Sequence, residues 1–466
     1  MYLYVKKVEL FYSFIEDRLL EYGIADRGEY VTIRREDYEK SNQLLDIRKV
    51  VDYLKLKYIN AWWSTKADFY KFGGEIRLLE KLSNERKVER FRKELFEELH
   101  NMPNEEGKES EWVGRIFSLI KEMEMSIIGD EESYISFFVD KGYSVVTEEF
   151  IQEVKKFDSS MNVYDIFQAI RNVWIMNSIQ VLFNMEPKLT PSIFSYSMLY
   201  PYSDNYLDDP EVSVKNKKDF SKKLKKWLCG EEANVSNINE ENVYKLVKRI
   251  EGEFPREKYP QVHQSLLAIH KGQEESLVQQ REKTLPYERD IIGISFEKGG
   301  TSVLADGCLV KGELTLEEAD FMFGYGVFLQ IIDDLQDVEE DLSNGHMTIL
   351  SQVGQKWPLD KLINKLLWFI EEAVDDAKIF TKEDSIKLKR IIKKCCIVMI
   401  FEAISKNKKR FSKKYIKELE KYSMLRFAYY KKLKRRFQKE FSSKDILDIC
   451  TVLSKKYNFN EVEVFR

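Results

Sequence analysis

Two acidic runs in the chain carry residue types and spacings that suit hard-cation chemistry. The first is Asp204-Asn205-Tyr206-Leu207-Asp208-Asp209-Pro210, in which Asp204 and Asp208 stand four apart and share one helix face. The second is Asp333-Asp334-Leu335-Gln336-Asp337-Val338-Glu339-Glu340-Asp341. At about 100° of turn per residue, Asp333, Asp337 and Asp341 form a single stripe about 80° wide. Gln330 and Gly326 extend the stripe backwards into the apolar run FMFGYGVFLQII. Exposed like charges at this spacing cost only about 0.2–0.5 kcal/mol, so repulsion alone says little. Emergence from a stretch that must be buried says more, because carboxylates at a cavity wall neutralise or need cations to offset them. Mg²⁺ takes oxygen ligands, keeps several waters and is commonly shared with substrate phosphates. Two such helices facing each other would hold a small group of Mg²⁺ ions and a diphosphate. A lone acidic run usually only solvates a helix end. Two runs in matching phase, each closing an apolar helix, set that reading aside.

The elements that must position these groups read almost everywhere at helical period. Residues 1 to 100 give three or four helical patterns, ending in NERKVERFRKELFEELH. The polar, turn-rich stretch 102–111 reads as a linker, and helical patterning resumes at EWVGRIFSLIKEMEMSIIG. A long amphipathic helix is expected from Asn162, with Asp165 placed for a capping box. A further helix bounded by prolines leads into the first acidic run. Strand signals are confined to the short, isolated YVTI and YSVV. The predicted class is all-α.

Composition limits the rest. The chain has 466 residues, 43% hydrophobic and 33% charged, with a net charge of −4. That is enough apolar material for a real core and excludes a disordered chain. Gly (20) and Pro (9) are scarce, which disfavours an all-β protein. Fifteen Lys/Arg against Glu418 and Glu420 give residues 406–439 a local charge of +13, leaving −17 elsewhere. A uniformly basic nucleic-acid binder is therefore not expected. Five cysteines, with only Cys395 and Cys396 adjacent, form neither a disulfide framework nor a zinc pattern, and a reducing compartment fits. No secretory signal and no run near the ~20 apolar residues of a membrane span are read, so the expectation is a soluble, cytoplasmic protein.

At the two acidic runs the sequence resembles the class I isoprenoid-diphosphate enzymes: terpene synthases, squalene/phytoene synthases and chain-elongating polyprenyl synthases. The runs lie 129 residues apart, a separation of the size that fold uses. Leu329-Gln330-Ile331-Ile332-Asp333-Asp334-Leu335-Gln336-Asp337-Val338-Glu339-Glu340-Asp341, followed by Asn344-Gly345-His346, looks most like the second motif of phytoene/squalene synthases, and the same frame matches the second metal motif of terpene cyclases, with Asp333, Asp337 and Asp341 at its three ligand positions. Asp204-Asn205-Tyr206-Leu207-Asp208 looks like the first motif with its second Asp replaced. Arg289 with Gly293 resembles the diphosphate-sensing Arg and effector Gly of bacterial cyclases, although Ile292 stands where an acid is usual. Lys298, in Glu297-Lys298-Gly299-Gly300-Thr301, resembles a diphosphate-contacting Lys of polyprenyl synthases. The Gly-Gly-Lys and Arg-Pro pattern of chain elongation is not found. That leaves cyclisation of one prenyl diphosphate or head-to-head joining of two.

The resemblance implies a class I terpenoid synthase-type helical bundle over 111–441, preceded by an N-terminal helical region (1–110) and followed by a tail (442–466). It implies Mg²⁺ on Asp204, Asp208, Asp333, Asp337 and Asp341, with a prenyl diphosphate as substrate. Arg171, Arg289, Lys298 and Arg426 are candidate diphosphate anchors, each also suited to a structural ion pair. Phe323, Gly326, Val327 and Gln330, with Phe194, Ser197 and Tyr200, are candidate cavity residues; aromatics at this spacing equally suit a plain core. His346 reads as part of the turn after the second run. The basic segment 406–439 is expected near the diphosphate or at an anionic membrane surface. A homodimer and a non-catalytic scaffold with an anionic partner stay open.

Overall fold

The computed structural model describes residues 45–101, 109–128, 134–208, 212–280 and 289–440. The chain divides into two units, 1–45 and 46–466. The second holds every element described. Its first nine helices are α1 (Ile47–Ser64), α2 (Leu78–His100), α3 (Glu109–Ile128), α4 (Tyr134–Asp140), α5 (Tyr143–Phe157), α6 (Val163–Leu182), α7 (Pro191–Asp208), α8 (Val214–Cys229) and α9 (Ile238–Glu253). The remaining nine are α10 (Pro260–Ser276), α11 (Ile291–Lys311), α12 (Leu316–Gln336), α13 (Val338–Asn344), α14 (Ile349–Gly354), α15 (Asp360–Asp375), α16 (Glu383–Lys406), α17 (Lys413–Glu420) and α18 (Phe427–Glu440). No strand occurs among the described residues, so the fold is all-α, as expected. YSVV is the first turn of α5, and YVTI lies outside the described residues.

The two most apolar helices form the central pair. α11 starts because the Asp290 carboxylate accepts from the Gly293 N–H at 2.8 Å, and it ends at Gly312, whose φ of +87° few other residues adopt. Thr315 then opens α12 with a full capping box to Glu318, so the short link folds the two helices antiparallel. Their backbones meet at glycines. A Cβ built on Gly326 would lie 2.0 Å from the Gly299 carbonyl oxygen, and one on Gly300 would lie 2.5 Å from the Phe323 ring.

The pair is covered on all sides. α1 packs on it through Tyr58, stacked on Phe323 with ring centroids 5.9 Å apart, and through the fully buried Trp62 against Phe296. Each such large side chain, fully buried, contributes about 1.5–3 kcal/mol. Glu297 of α11 is 1% exposed and accepts from Lys55 of α1 (2.7 Å) and Lys271 of α10 (2.9 Å). Burial pushes its carboxyl up, but the two ammonium groups outweigh that and hold it below its ordinary value. α6 and α7 pack on one flank of the pair, and α15 and α16 on another. The expected start at Asn162 is present: its side chain accepts from the Asp165 N–H at 2.9 Å and caps α6.

The stretch 47–101 belongs to the same unit as the chain beyond residue 110, and no unit boundary falls at 110. α2 joins it through a satellite apolar cluster with α3 (Leu95, Leu99, Trp112, Ile116, Ile120) and through contacts with α18. α1 is apolar along one face and packs that face on α11 and α12.

Gly326→Val should force α11 and α12 apart. The denaturant midpoint is expected to fall by the equivalent of about 1–3 kcal/mol, with Gly73→Val, which meets no neighbouring atom, as the neutral control.

Candidate functional site

A cavity of about 790 Å³ lies between α5, α6, α11, α12 and α16, with walls that are mainly apolar and aromatic. The stretch of α12 that lines it runs from Tyr325 to Gln336, about 16 Å of helix. Phe167, Trp174 and Ile175 of α6 form the facing wall, and Ile391, Ile392 and Met399 of α16 form a side.

The second acidic run closes one end. Asp333 is exposed into the cavity space yet surrounded by protein. Burial raises its carboxyl above the ordinary value; the cations of Lys298 and Arg171 oppose that shift, and Asp341 adds to it. Asp334, the next residue, is 5% exposed and accepts from Gln330 Nε2 at 2.9 Å while its Oδ2 has no hydrogen-bond partner. Burial, with the Asp333 and Asp341 charges, pushes it up to about 7. Asp337 is raised by burial and by Asp333, with Lys406 Nζ 4.0 Å away in opposition.

The stripe is not one continuous helix. α12 stops at Gln336, Asp337 caps it, and α13 begins at Val338. Asp341 is consequently turned inward, where it accepts from Thr348 Oγ1 (3.3 Å) and lies 3.3 Å from His346 Nδ1. His346 sits in the turn, its backbone N–H donating to the Asp341 carbonyl. Glu339 takes a two-point contact from Arg410 (2.6 and 3.0 Å) and one from Lys409 (2.7 Å), and its carboxyl is held down to about 2, chiefly by the arginine.

The first acidic run sits at the edge. Tyr200 lines the cavity, and one turn on, Asp204 accepts from Gln273 Nε2 at 2.7 Å. Asn205 donates to Asp165 and to Gln168, each at 3.1 Å, and Gln168 is part of the wall. Asp208 ends α7; its side chain, with Asp209 and Pro210, lies outside the described residues.

Of the anticipated residues, Arg171, Tyr200, Gly326, Gln330 and Asp333 line one cavity, with Lys298 in electrostatic reach of Asp333 and Asp334. Others are elsewhere. Arg426 donates to Glu85 of α2 at 2.8 and 2.6 Å, so it ties α18 to α2 and is no anchor here. Arg289 is an exposed residue before α11, about 15 Å along that axis from Gly299, and Gly293 serves the Asp290 cap. Phe323 and Val327 are 0% exposed and face packed helices. Ser197 is fully buried and accepts from Asn172 at 3.2 Å, while Phe194 packs on Phe150 and Phe157. Part of the basic segment is paired within the protein: Lys406, Lys409 and Arg410 serve the second acidic run, and Arg426 and Arg436 bind carboxylates of α2. Sequence reasoning missed Asn172, Trp174, Tyr325 and Asp306. Only Asp306 left a signal, a single acid within the apolar run SVLADGCLV.

The second acidic run fits a hard cation in charge: burial and neighbouring carboxylates raise Asp333, Asp334 and Asp337, and Asp334 Oδ2 has no hydrogen-bond partner. Among the described residues no three His, Cys, Asp or Glu side chains converge on one point. A cation held there takes its other ligands from water and phosphate, as Mg²⁺ commonly does. No family model, no curated protein and no solved structure matches this chain.

Asp334 stays protonated in the folded state up to about pH 7, whereas unfolded Asp ionises near 4. The native state then binds the extra proton, so stability falls as pH rises from about 4 to 7 and stays low above that. In EDTA, Asp334→Asn should flatten that decline and be the more stable protein at pH 8, by urea midpoints taken across pH 4–8.

Proposed function

We propose that the protein is a Mg²⁺-dependent class I isoprenoid-diphosphate enzyme that ionises a prenyl diphosphate and guides the carbocation to a cyclic or linear terpene. One observation carries this reading: Asp333 stands where a mainly apolar cavity meets Lys298 and Arg171, so carboxylates for a cation and cations for an anion share one end of that cavity. Bound Mg²⁺ would supply Lewis-acid neutralisation of the leaving diphosphate. Asp333 and Asp337 would hold it, with Asp204 at the cavity's edge. Arg171 and Lys298 present positive charge to phosphate oxygens, the group on which charge builds as the allylic C–O bond breaks. The apolar wall keeps water from the cation, and aromatic faces such as Trp174 and Phe167 stabilise it by about 0.5–2 kcal/mol each.

The resemblance in sequence and the cavity support the same reading independently. Pairing of Lys409, Arg410, Arg426 and Arg436 with carboxylates of the protein takes those four cations from a scaffold built around an anionic partner. Among the described residues no helix is long and apolar enough to cross a membrane.

Purified protein with Mg²⁺ and geranyl, farnesyl or geranylgeranyl diphosphate should release diphosphate. Product carbon equal to substrate carbon assigns a cyclase or lyase, and doubled carbon assigns head-to-head condensation. Asp333→Ala and Arg171→Ala should each lower diphosphate release about 100-fold, by loss of charge stabilisation at the reacting end. Arg426→Ala should leave release within about twofold and instead lower thermal stability, because it removes one partner of a two-point ion pair with Glu85. Mg²⁺-independent behaviour, or no release with any of the three, removes the proposal.

A further inference from the structure

The cavity has a second polar end that the diphosphate chemistry leaves unused. Asp306 stands in the middle of α11, is 1% exposed, and belongs to the cavity wall. Its Oδ1 accepts from Asn172 Nδ2 at 3.3 Å, and its Oδ2 has no hydrogen-bond partner. Burial drives the carboxyl well above its ordinary value, against which the Asn172 amide is the opposing influence, so its buried place favours the uncharged form. An uncharged carboxyl carries an O–H that donates, and leaving a buried polar group unpaired costs about 1–3 kcal/mol.

Its position is as informative as its state. From the Gly299–Gly326 contact, Asp306 lies seven residues along α11 and Asp333 seven along α12, in opposite directions because the helices are antiparallel. The two acids are therefore separated by roughly 15–20 Å of helix axis. Between them the wall includes Val303 of α11 and Leu329 of α12. Lys298 and Arg171 are grouped with Asp333, which leaves the inner end without a partner for an anion.

We propose that this inner end is a hydrogen-bonding subsite for an uncharged acceptor oxygen, a hydroxyl, carbonyl or ether, carried by an apolar ligand at its end remote from Asp333. Asp306 and Asn172 are the recognising groups. An ammonium group there would require Asp306 to ionise and both charges to be desolvated, which is the more expensive arrangement. The subsite stands whether or not ionisation takes place at Asp333.

The test uses octan-1-ol, octane and octylamine, titrated into the full-length protein by tryptophan fluorescence, with Trp174 in the wall as reporter. Asp306→Leu should weaken octan-1-ol about 3- to 10-fold, the worth of one neutral hydrogen bond, and leave octane within about twofold. Asp306→Asn, which still donates, should keep octan-1-ol close to the wild-type affinity. Equal shifts for octan-1-ol and octane, no shift for either, or octylamine as the tightest ligand would overturn the proposal. A readout that does not depend on a variant's folding is the infrared carbonyl band of bound octan-2-one in the wild-type protein. A shift to lower frequency than in hydrocarbon is expected; a hydrocarbon-like band sinks the idea. Neither measurement uses Mg²⁺ or a diphosphate, so failure here and failure of the ionisation reading are separate results.

Discussion

The contact of Gly299 with Gly326 is the constraint on which the rest of the described structure depends. Two helices that are apolar on nearly every face can be buried only as a central pair, and without Cβ atoms at the crossing their backbones touch. Close approach fixes the register, and the register fixes chemistry at both ends. It carries Asp333 out past the end of the contact beside Lys298, and Asp306 to the opposite end beside Asn172. Interiors close-packed elsewhere make the cavity informative, because a void forfeits contacts on every side.

The split of charge along the sequence resolves into internal complementarity. The +13 segment and the acidic run of 333–341 belong to one folded surface: Lys406 lies against Asp337, and Lys409 and Arg410 hold Glu339. Those pairs fix the peripheral acid of the run and leave Asp333 to the cavity. Exposed pairs of this kind are worth little each, about 0–1 kcal/mol, so their service is positional more than energetic. The two-point contacts of Arg410 and Arg426 are better suited to that service than single ammonium pairs, since a planar fork restrains direction as well as distance.

What was legible in the sequence was what local physics decides. Helical period, the Asn162 cap and the burial of FMFGYGVFLQII follow from residue order within a turn or two, and the structure has all three. Placement of Asp333, Gln330 and Gly326 on one face follows from the same period. The interruption at Asp337 was not legible, because Asp-Val-Glu-Glu-Asp contains neither proline nor glycine, and tertiary pairing of Glu339 and Asp341 decides it. Phe323 shares a face with Gly326 on the helical wheel, yet its ring rests where Gly300 has no side chain. No one-dimensional pattern carries that information. Arg426 was unreadable for the same reason, its partner Glu85 being more than three hundred residues away.

The raised acids at the two ends of the cavity differ in what can relieve them, and the difference gives the space a direction. Asp334 and Asp333 lie among other carboxylates with Lys298 and Arg171 close by, so their cost falls when a cation or an anion–cation assembly arrives. Asp306 has only an amide beside it, and a charge brought there would be desolvated without a matching partner. Relief at that end comes from an acceptor that is polar and uncharged. A ligand satisfying both ends is therefore charged at one extremity, apolar along roughly 15–20 Å, and at most weakly polar at the other. The wall's composition, aromatic and aliphatic between two unlike polar ends, selects for that order along the molecule and against its reverse.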